Sequence, residues 1–272
     1  MDLYRSWTFP QQNGTRDLKP HETKRSNLQT TLTQAPIPEY VDLELLRKMH
    51  NQAVAYRKRG RLQKSEELHL EVLSTRRQVL GDEHADTLQS MHDLAITYFE
   101  QGRLDESEQL DLHVMAIRKR KLGDEHANTL ESMHNLAVTY FEQGRLDESE
   151  QLHLHVMAIR KRELGDEHAD TLESMHNLAV TYHKQGRLDE SEQLHLHVMA
   201  IRKRKLGDEH ADTFQSMHEL AITYHKQGRL EESEQLDLHV MAIRKRELGD
   251  EHTDTLQRVG ATSPACHGDP QA

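Results

Sequence analysis

Apolar residues recur at helical spacing along most of the chain, and the pattern repeats. In one copy, a single stripe is formed by Leu130, Met133, Leu136, Ala137 and Tyr140. Their spacing places them on one face of a helix, called helix A below. The following segment, helix B, has one stripe at Leu146, Leu152, Val156 and Ile159 and a second at Leu154, Met157 and Ala158. A helix with two apolar sides needs two neighbours, which is typical of helices stacked in a row.

Glycine separates these segments at a fixed interval. Ten of the thirteen glycines lie 21 residues apart, from Gly60 to Gly249, in the alternating contexts QGRL (once RGRL) and LGDEH. Because glycine after a helix-forming run is a common helix stop, two helices make one unit and the period is 42 residues. The pattern predicts an all-α solenoid with repeats 1 to 5 at about 41–81, 82–123, 124–165, 166–207 and 208–249, and a partial repeat at 250–258.

Each complete helix A has a predicted cap at its start. Asp or Asn stands there, at Asp86, Asn128, Asp170 and Asp212. Three residues further on are Gln89, Glu131, Glu173 and Gln215. This spacing predicts a capping box, in which the two side chains satisfy free backbone N–H groups of the first turn.

The two ends depart from the repeat. Residues 1–40 and 259–272 are polar, contain the prolines and have no helical period, so we predict that both are disordered. In repeat 1, Gln52 replaces the core leucine, which suggests a polar cap. In repeat 5, the second stripe of helix B (Leu238, Met241 and Ala242) lacks a complete following repeat. We expect a truncated array, a fragment, or an end that docks onto another molecule, including a second copy of this chain.

Particular residues resemble a known repeat family. In NLAVTYFEQGRLDESEQL (135–152), Leu136-Ala137, Tyr140 and Gly144 match the tetratricopeptide repeat, and Ser149 stands where a small alanine is usual. The long helix B ending in IRKRELGDEH (159–168) is similar to the 42-residue subtype of kinesin light chains and to arrays in nucleotide-binding signalling ATPases. The resemblance covers residues 45–257 and implies a right-handed solenoid. It favours this family over HEAT repeats, and WD40 blades are excluded because the only tryptophan, Trp7, lies outside the repeats.

The resemblance also implies a concave groove, lined by helix A, for an extended peptide. We call its two rows the central row and the edge row. The central row is His92, Asp93, His134, Asn135, His176, Asn177, His218 and Glu219. The edge row is Phe99, Glu100, Phe141, Glu142, His183, Lys184, His225 and Lys226. The asparagines resemble a hydrogen-bonding clamp, from which Asp93 and Glu219 depart.

The edge row changes character along the array. Residues 123–164 and 165–206 differ at four positions, and two of these replace Phe141-Glu142 with His183-Lys184. The row is therefore Phe-Glu in repeats 2 and 3 and His-Lys in repeats 4 and 5. We hypothesise a bipartite groove that favours a peptide with basic residues at one end and acidic residues at the other. Drift at exposed positions would produce the same pattern.

Charge and cysteine content restrict the partners. The formal net charge is −11 with histidine neutral, which disfavours binding to nucleic acid or to an anionic membrane. Cys266 is the only cysteine, and no apolar run reaches the length of a membrane span. We therefore expect a cytoplasmic protein with protein or peptide partners.

Features that could suggest catalysis have simpler explanations. Asp124-Glu125-His126 recurs in every inter-repeat loop, as expected of residues that lead into a helix cap. Cys266-His267 lies in a proline-flanked tail without the preorganisation that a nucleophile needs. No glycine-rich phosphate loop is present. The sequence predicts no catalytic residue and no cofactor.

The 21 histidines raise the possibilities of metal binding and pH sensing. His92, His134, His176 and His218 recur once per repeat, but packed helices are about 8–10 Å apart, too far for a ladder of shared zinc ions. His153 and His155 point away from each other on a helix. We therefore predict no metal site. pH sensing stays open, whereas the simpler interpretation is that these histidines are solvated.

The basic runs, such as RKRK at 118–121, complement the C-terminal dipole of helix B. Taken together, the sequence favours a non-enzymatic scaffold or adaptor. The alternative is a detached regulatory array of a nucleotide-binding signalling ATPase.

Overall fold

The computed structural model describes residues 42–248, which form ten α-helices and no strand. Their bounds are α1 (Leu43–Lys58), α2 (Leu62–Leu80), α3 (Ala85–Glu100), α4 (Leu104–Leu122), α5 (Ala127–Glu142), α6 (Leu146–Leu164), α7 (Ala169–Gln185), α8 (Leu188–Leu206), α9 (Ala211–Lys226) and α10 (Leu230–Leu248). Odd-numbered helices are the A helices. Each helix packs against the preceding and following ones, which confirms the all-α solenoid. The segments 1–40, 250–258 and 259–272 lie outside the described residues.

The core is divided into small clusters that link neighbouring repeats. In repeat 3, Leu130 and Met133 of α5 pack against Val156 and Ile159 of α6, and Met115 of the preceding α4 joins them. Met157 of α6 in turn joins the cluster of repeat 4. Helix B therefore does contact two neighbours, as its two stripes predict.

The second stripe of helix B is narrower than predicted. Met157 is half-buried, but Ala158 is exposed and Leu154 is 37% exposed. The inward position beside them is taken by His153, which is buried. The prediction for Leu154 and Ala158 was wrong: of this stripe only Met157 packs into the apolar cluster of the next repeat, and Arg160 makes polar contacts with the next helix A.

The glycines end both kinds of helix, as predicted. Gly144 has φ +77°, and the N–H of Arg145 after it donates to the carbonyl of Tyr140 at 2.8 Å. Gly165, after helix B, has φ +91° and ψ 164°. L-residues rarely adopt such angles, so glycine is required at both junctions.

The caps of the A helices differ from the prediction. The N-cap of α5 is His126, whose Nδ1 accepts from the backbone N–H of Asn128 at 3.2 Å. His84, His168 and His210 do the same for α3, α7 and α9. The capping box was therefore wrong, since Asp86, Asn128, Asp170 and Asp212 already lie within the helices. This geometry confirms that the Asp-Glu-His loops lead into helix caps.

Side chains of the QGR motif form hydrogen bonds with the preceding repeat. Gln143 Nε2 and Arg145 Nη1 donate to the two carboxylate oxygens of Glu108, at 2.9 and 2.8 Å. The guanidinium of Arg145 also stacks 4.0 Å above the ring of Tyr140. The equivalent arginines donate hydrogen bonds to Glu66, Glu150 and Glu192. The QGR motif therefore joins each repeat to the one before it.

A second connector comes from the first arginine of each basic run. Arg118 is buried, and its Nη1 donates to the carbonyl of Asn128 and to Ser132 Oγ, both at 2.9 Å. Arg76, Arg160 and Arg202 make the same pair of hydrogen bonds. The remaining basic residues, Lys119, Arg120 and Lys121, occupy the last turn of α4, as the dipole argument predicts.

Candidate functional site

The A helices carry both predicted rows on one surface, which we call the A-helix face. At two boundaries between repeats, a histidine of one A helix lies beside a central-row side chain of the following A helix. Asn135 Nδ2 lies 3.4 Å from both ring nitrogens of His92, and His50 Nε2 lies 3.1 Å from Asp93 Oδ2. Contacts of this kind therefore link the A helices of repeats 1, 2 and 3.

Burial divides the central row into two parts. His92 and Asp93 are buried, so repeat 2 offers little surface to a partner. The rest of the row is half-buried, namely His134, Asn135, His176, Asn177, His218 and Glu219. The accessible part of the row therefore lies in repeats 3 to 5.

Contacts along the edge row change its charge pattern. Arg57 of repeat 1 pairs with Glu100 at 2.6 Å, so this acidic charge is already neutralised. Glu142 is exposed and has no ion-pair partner among residues 42–248. Lys184 Nζ lies 5.9 Å from the ring centre of Phe141, and Lys226 Nζ donates to the carbonyl of His183 at 2.8 Å. The other edge-row side chains, Phe99 and His225, are half-buried and exposed respectively.

A cavity of about 550 Å³ opens on the accessible part of the A-helix face. His134, His176 and Asn177 of the central row line it, together with Glu173 and Arg202. Sequence reasoning missed Arg202 because it belongs to a basic run on helix B. Its signal was its position as the first residue of the run, directly before the exposed basic residues.

Arg202 differs from Arg118 and Arg160 in having no acidic partner. Arg118 and Arg160 lie 3.3 and 3.4 Å from Glu131 and Glu173. In the following repeat the equivalent residue is Gln215, whose Nε2 lies 3.5 Å from His176 Nε2. No carboxylate of the described residues is within ion-pair distance of Arg202. Part of its hydrogen-bonding capacity therefore faces the cavity.

The environment of the row shifts several pKa values. Burial, reinforced by the charge of Arg202, lowers the pKa of His176 to about 4. Burial also lowers the pKa of His183, and Lys226 adds to the effect. Burial raises the pKa of Glu219 above its ordinary value. Burial acts in the same direction on Asp93, but hydrogen bonds from His50 and Gln89 outweigh it and lower its pKa.

The interpretation of the histidines as solvated was wrong for many of them. His69, His92, His153 and His195 are buried, and His134 and His176 are half-buried. The cause is the contact between the two helices of a repeat, where His69, His153 and His195 each meet the ring of a helix-A histidine. Within the described part of the chain, no group of three or more His, Cys, Asp or Glu residues has the arrangement of a metal site.

Comparison with known proteins agrees with this architecture. The model of the tetratricopeptide repeat matches residues 44–120, 95–161, 136–204 and 173–246. A crystal structure of a candidate kinesin light chain from Podosopora anserina, with nearly identical TPR-like repeats, is 33% identical at TM-score 0.68 and covers 77% of this chain and 99% of that one. BtubC from P. vanneervenii is 23% identical at TM-score 0.64, covering 75% and 81%. No curated protein sequence matches the chain.

These matches and the helix packing define the class of protein as a helical repeat solenoid. The chain belongs to the tetratricopeptide repeat family, and its repeats are of the kinesin light chain-like type. Proteins of this family generally act as scaffolds for other proteins. None of the ten described helices is long and apolar enough to cross a membrane.

Proposed function

We propose that this chain is a non-enzymatic cytoplasmic scaffold that binds an extended peptide segment of a protein partner along the A-helix face. The observation that carries the proposal is the cavity between repeats 3 and 5. There the amide of Asn177 and the guanidinium of Arg202 both line open space of about 550 Å³. These two groups supply hydrogen-bond donors of the kind that peptide carbonyls and carboxylates accept.

The side-chain charges differ between the two ends of the proposed groove. Glu142 is unpaired, whereas Lys184 and Lys226 project from the next two repeats of the edge row. Glu100 contributes less than its sequence position suggests, because Arg57 pairs with it. We expect a bound peptide to place basic residues near Glu142 and acidic residues near Lys184 and Lys226.

Substitution of Glu142 by lysine should change which peptides are retained. This change reproduces the residue that repeat 4 carries at the equivalent position, Lys184, so the fold should tolerate it. In a peptide-display selection, we expect enrichment of basic residues at one end to fall by roughly 3- to 10-fold, since an exposed ion pair becomes a repulsion.

The chain provides a matched control for this experiment. Glu163→Lys also copies a residue from repeat 4, Lys205, but lies at the exposed end of helix B. It should leave the selection unchanged. If Glu142→Lys and wild type retain the same peptides, the bipartite groove is wrong. If neither the wild-type protein nor Glu142→Lys retains any peptide, the alternative of a regulatory array gains support.

We also propose that the outer side of α10 can associate with a second copy of the chain. Leu238 is 56% exposed, compared with 37% for the equivalent Leu154 and Leu196. Light scattering at two protein concentrations should show concentration-dependent association that Leu238→Lys reduces. An unchanged molar mass across concentrations would rule this association out.

A further inference from the structure

Each repeat places a pair of titratable side chains at the contact between its two helices. One member is a histidine of helix A, and the other is a histidine or an aspartate of helix B. We call them the seam pairs: His50–His69, His92–Asp111, His134–His153, His176–His195 and His218–Asp237. In repeats 1, 3 and 4 the two imidazole rings meet edge to face, with ring centres 5.4, 5.7 and 5.6 Å apart.

The helix-B histidines of the seam pairs are packed as though they were apolar. His69, His153 and His195 are between 0% and 2% exposed. Nδ1 of each is buried without a hydrogen-bond partner. A neutral imidazole tolerates this environment far better than a charged one, because burying an uncompensated charge is costly.

The groups that face these histidines do not offset a positive charge in repeats 3 and 4. His153 of α6 is faced by His134 of α5 and by Arg160 of its own helix. His195 of α8 is faced by His176 and His183 of α7 and by Arg202. Burial, with these neighbours, lowers the pKa of both His153 and His195 to about 3.

Two other histidines of the seam pairs have acidic neighbours. His69 faces Asp93 of α3 as well as His50, Arg57 and Arg76, and burial lowers its pKa to about 4. His134 faces Glu173 of α7, Arg160 of α6 and Glu131 of its own helix, and burial lowers its pKa. In both cases the acidic groups raise the histidine pKa, but burial lowers it by more.

The seams with aspartate respond to pH in the opposite sense. Asp111 is buried between His92 of α3 and Arg118 of its own helix, and burial raises its pKa to about 7 despite both neighbours. Burial also raises the pKa of Asp237, which faces His218 and His225 of α9. These carboxyl groups are thus more readily accommodated when protonated.

Because proton binding is linked to folding, these pKa shifts make the stability of the histidine and aspartate repeats depend on pH in opposite directions. An unfolded histidine takes up a proton near pH 6.5, whereas folded His153 does so near pH 3. Folding of its repeat therefore weakens about tenfold per pH unit as the pH falls through this window. Folded Asp111 keeps its proton up to about pH 7 and an unfolded aspartate loses it near pH 3.9, so repeat 2 weakens as the pH rises.

We propose that the seam pairs form an acid-sensitive device in which the helix-B residue sets the response of each repeat: acid opens the histidine seams of repeats 1, 3 and 4, and rising pH loosens the aspartate seams of repeats 2 and 5. The sequence provides a matched comparison. Residues 101–120 and 143–162 are identical except that Asp111 in the first stands where His153 stands in the second.

Hydrogen exchange of the wild-type protein tests the proposal without any substitution. The opening constants of α4 and α6 are measured by mass spectrometry at pH 5 and pH 6, with correction for the intrinsic exchange rate. From pH 6 to pH 5, the opening constant of α6 should rise about tenfold, whereas that of α4 should fall. Equal responses of the two helices would overturn the proposal.

Two variants assign the effect to the seam residue itself. His153→Asp should make α6 respond as α4 does, and Asp111→His should make α4 acid-sensitive. If His153→Asp does not fold, His153→Gln, which does not titrate, should remove the acid response of α6. An acid response of α6 that survives His153→Gln would contradict the proposal.

Discussion

Replacing Leu136 with alanine should cost about 2–5 kcal/mol of folding free energy, the largest loss that we expect from a single core substitution. Leu136 is 1% exposed and faces inward from the middle of α5. The missing side-chain atoms would leave a cavity, because the rigid helices around it relax only partly. Urea unfolding, together with hydrogen exchange of α5 and α6, would measure the loss and locate it.

Leu154→Ala is the control for this experiment. It removes the same atoms from a residue that is 37% exposed, so we expect a loss below about 1 kcal/mol. Because solenoid repeats contact only their neighbours, the effect of Leu136→Ala should be centred on repeat 3. Comparable losses for the two variants would mean that helix B is buried on both predicted sides, contrary to the structure.

Arg118→Ala should cost about 2–3 kcal/mol. Arg118 is 3% exposed and joins α4 to α5 through hydrogen bonds to the carbonyl of Asn128 and to Ser132 Oγ. Hydrogen bonds from a charged group are stronger than neutral ones, and the buried acceptors would lose their donor. Thermal unfolding should show the destabilisation, and hydrogen exchange should place it at the boundary between repeats 2 and 3.

Arg120→Ala tests whether any arginine of the basic run would have the same effect. The side chain of Arg120 is 63% exposed and pairs with Glu83 on the surface. An exposed ion pair contributes about 0–1 kcal/mol, so this variant should unfold close to wild type. Equal destabilisation by the two substitutions would show that Arg118 acts only through its charge near the helix end.

The sequence predicted the architecture because the relevant signals are local and repeated. The spacing from Leu130 to Tyr140 needed only the geometry of one helix, and glycine at 144 and 165 marked helix ends through its backbone freedom. The family resemblance then distinguished this solenoid from others with a similar period.

Polar residues that behave unusually were harder to predict. His126 caps α5 through Nδ1, although histidine is not among the preferred N-cap residues. His153 occupies an inward position that a hydrophobicity pattern treats as polar. In both cases the environment, and not the residue type, decides the role.

The helices that carry the two rows were predictable, whereas the burial and pairing of individual side chains were not. Both rows lie on the A helices, as the resemblance implied. The burial of His92 and the pairing of Glu100 with Arg57 depend on contacts between repeats, which sequence spacing does not reveal. Arg202 was missed because it belongs to a basic run on helix B, and because the carboxylate that pairs with Arg118 and Arg160 is replaced by Gln215 in the following repeat.

Photo-cross-linking of a peptide selected by the wild-type protein tests the proposed binding surface most directly. The peptide carries one photoreactive residue, and its attachment sites are mapped by mass spectrometry. We predict attachment to the A helices of repeats 3 to 5, near Asn135, Glu142, Asn177 and Lys184. Attachment concentrated on the exposed side of the B helices, around Leu154 and Leu196, would contradict the account.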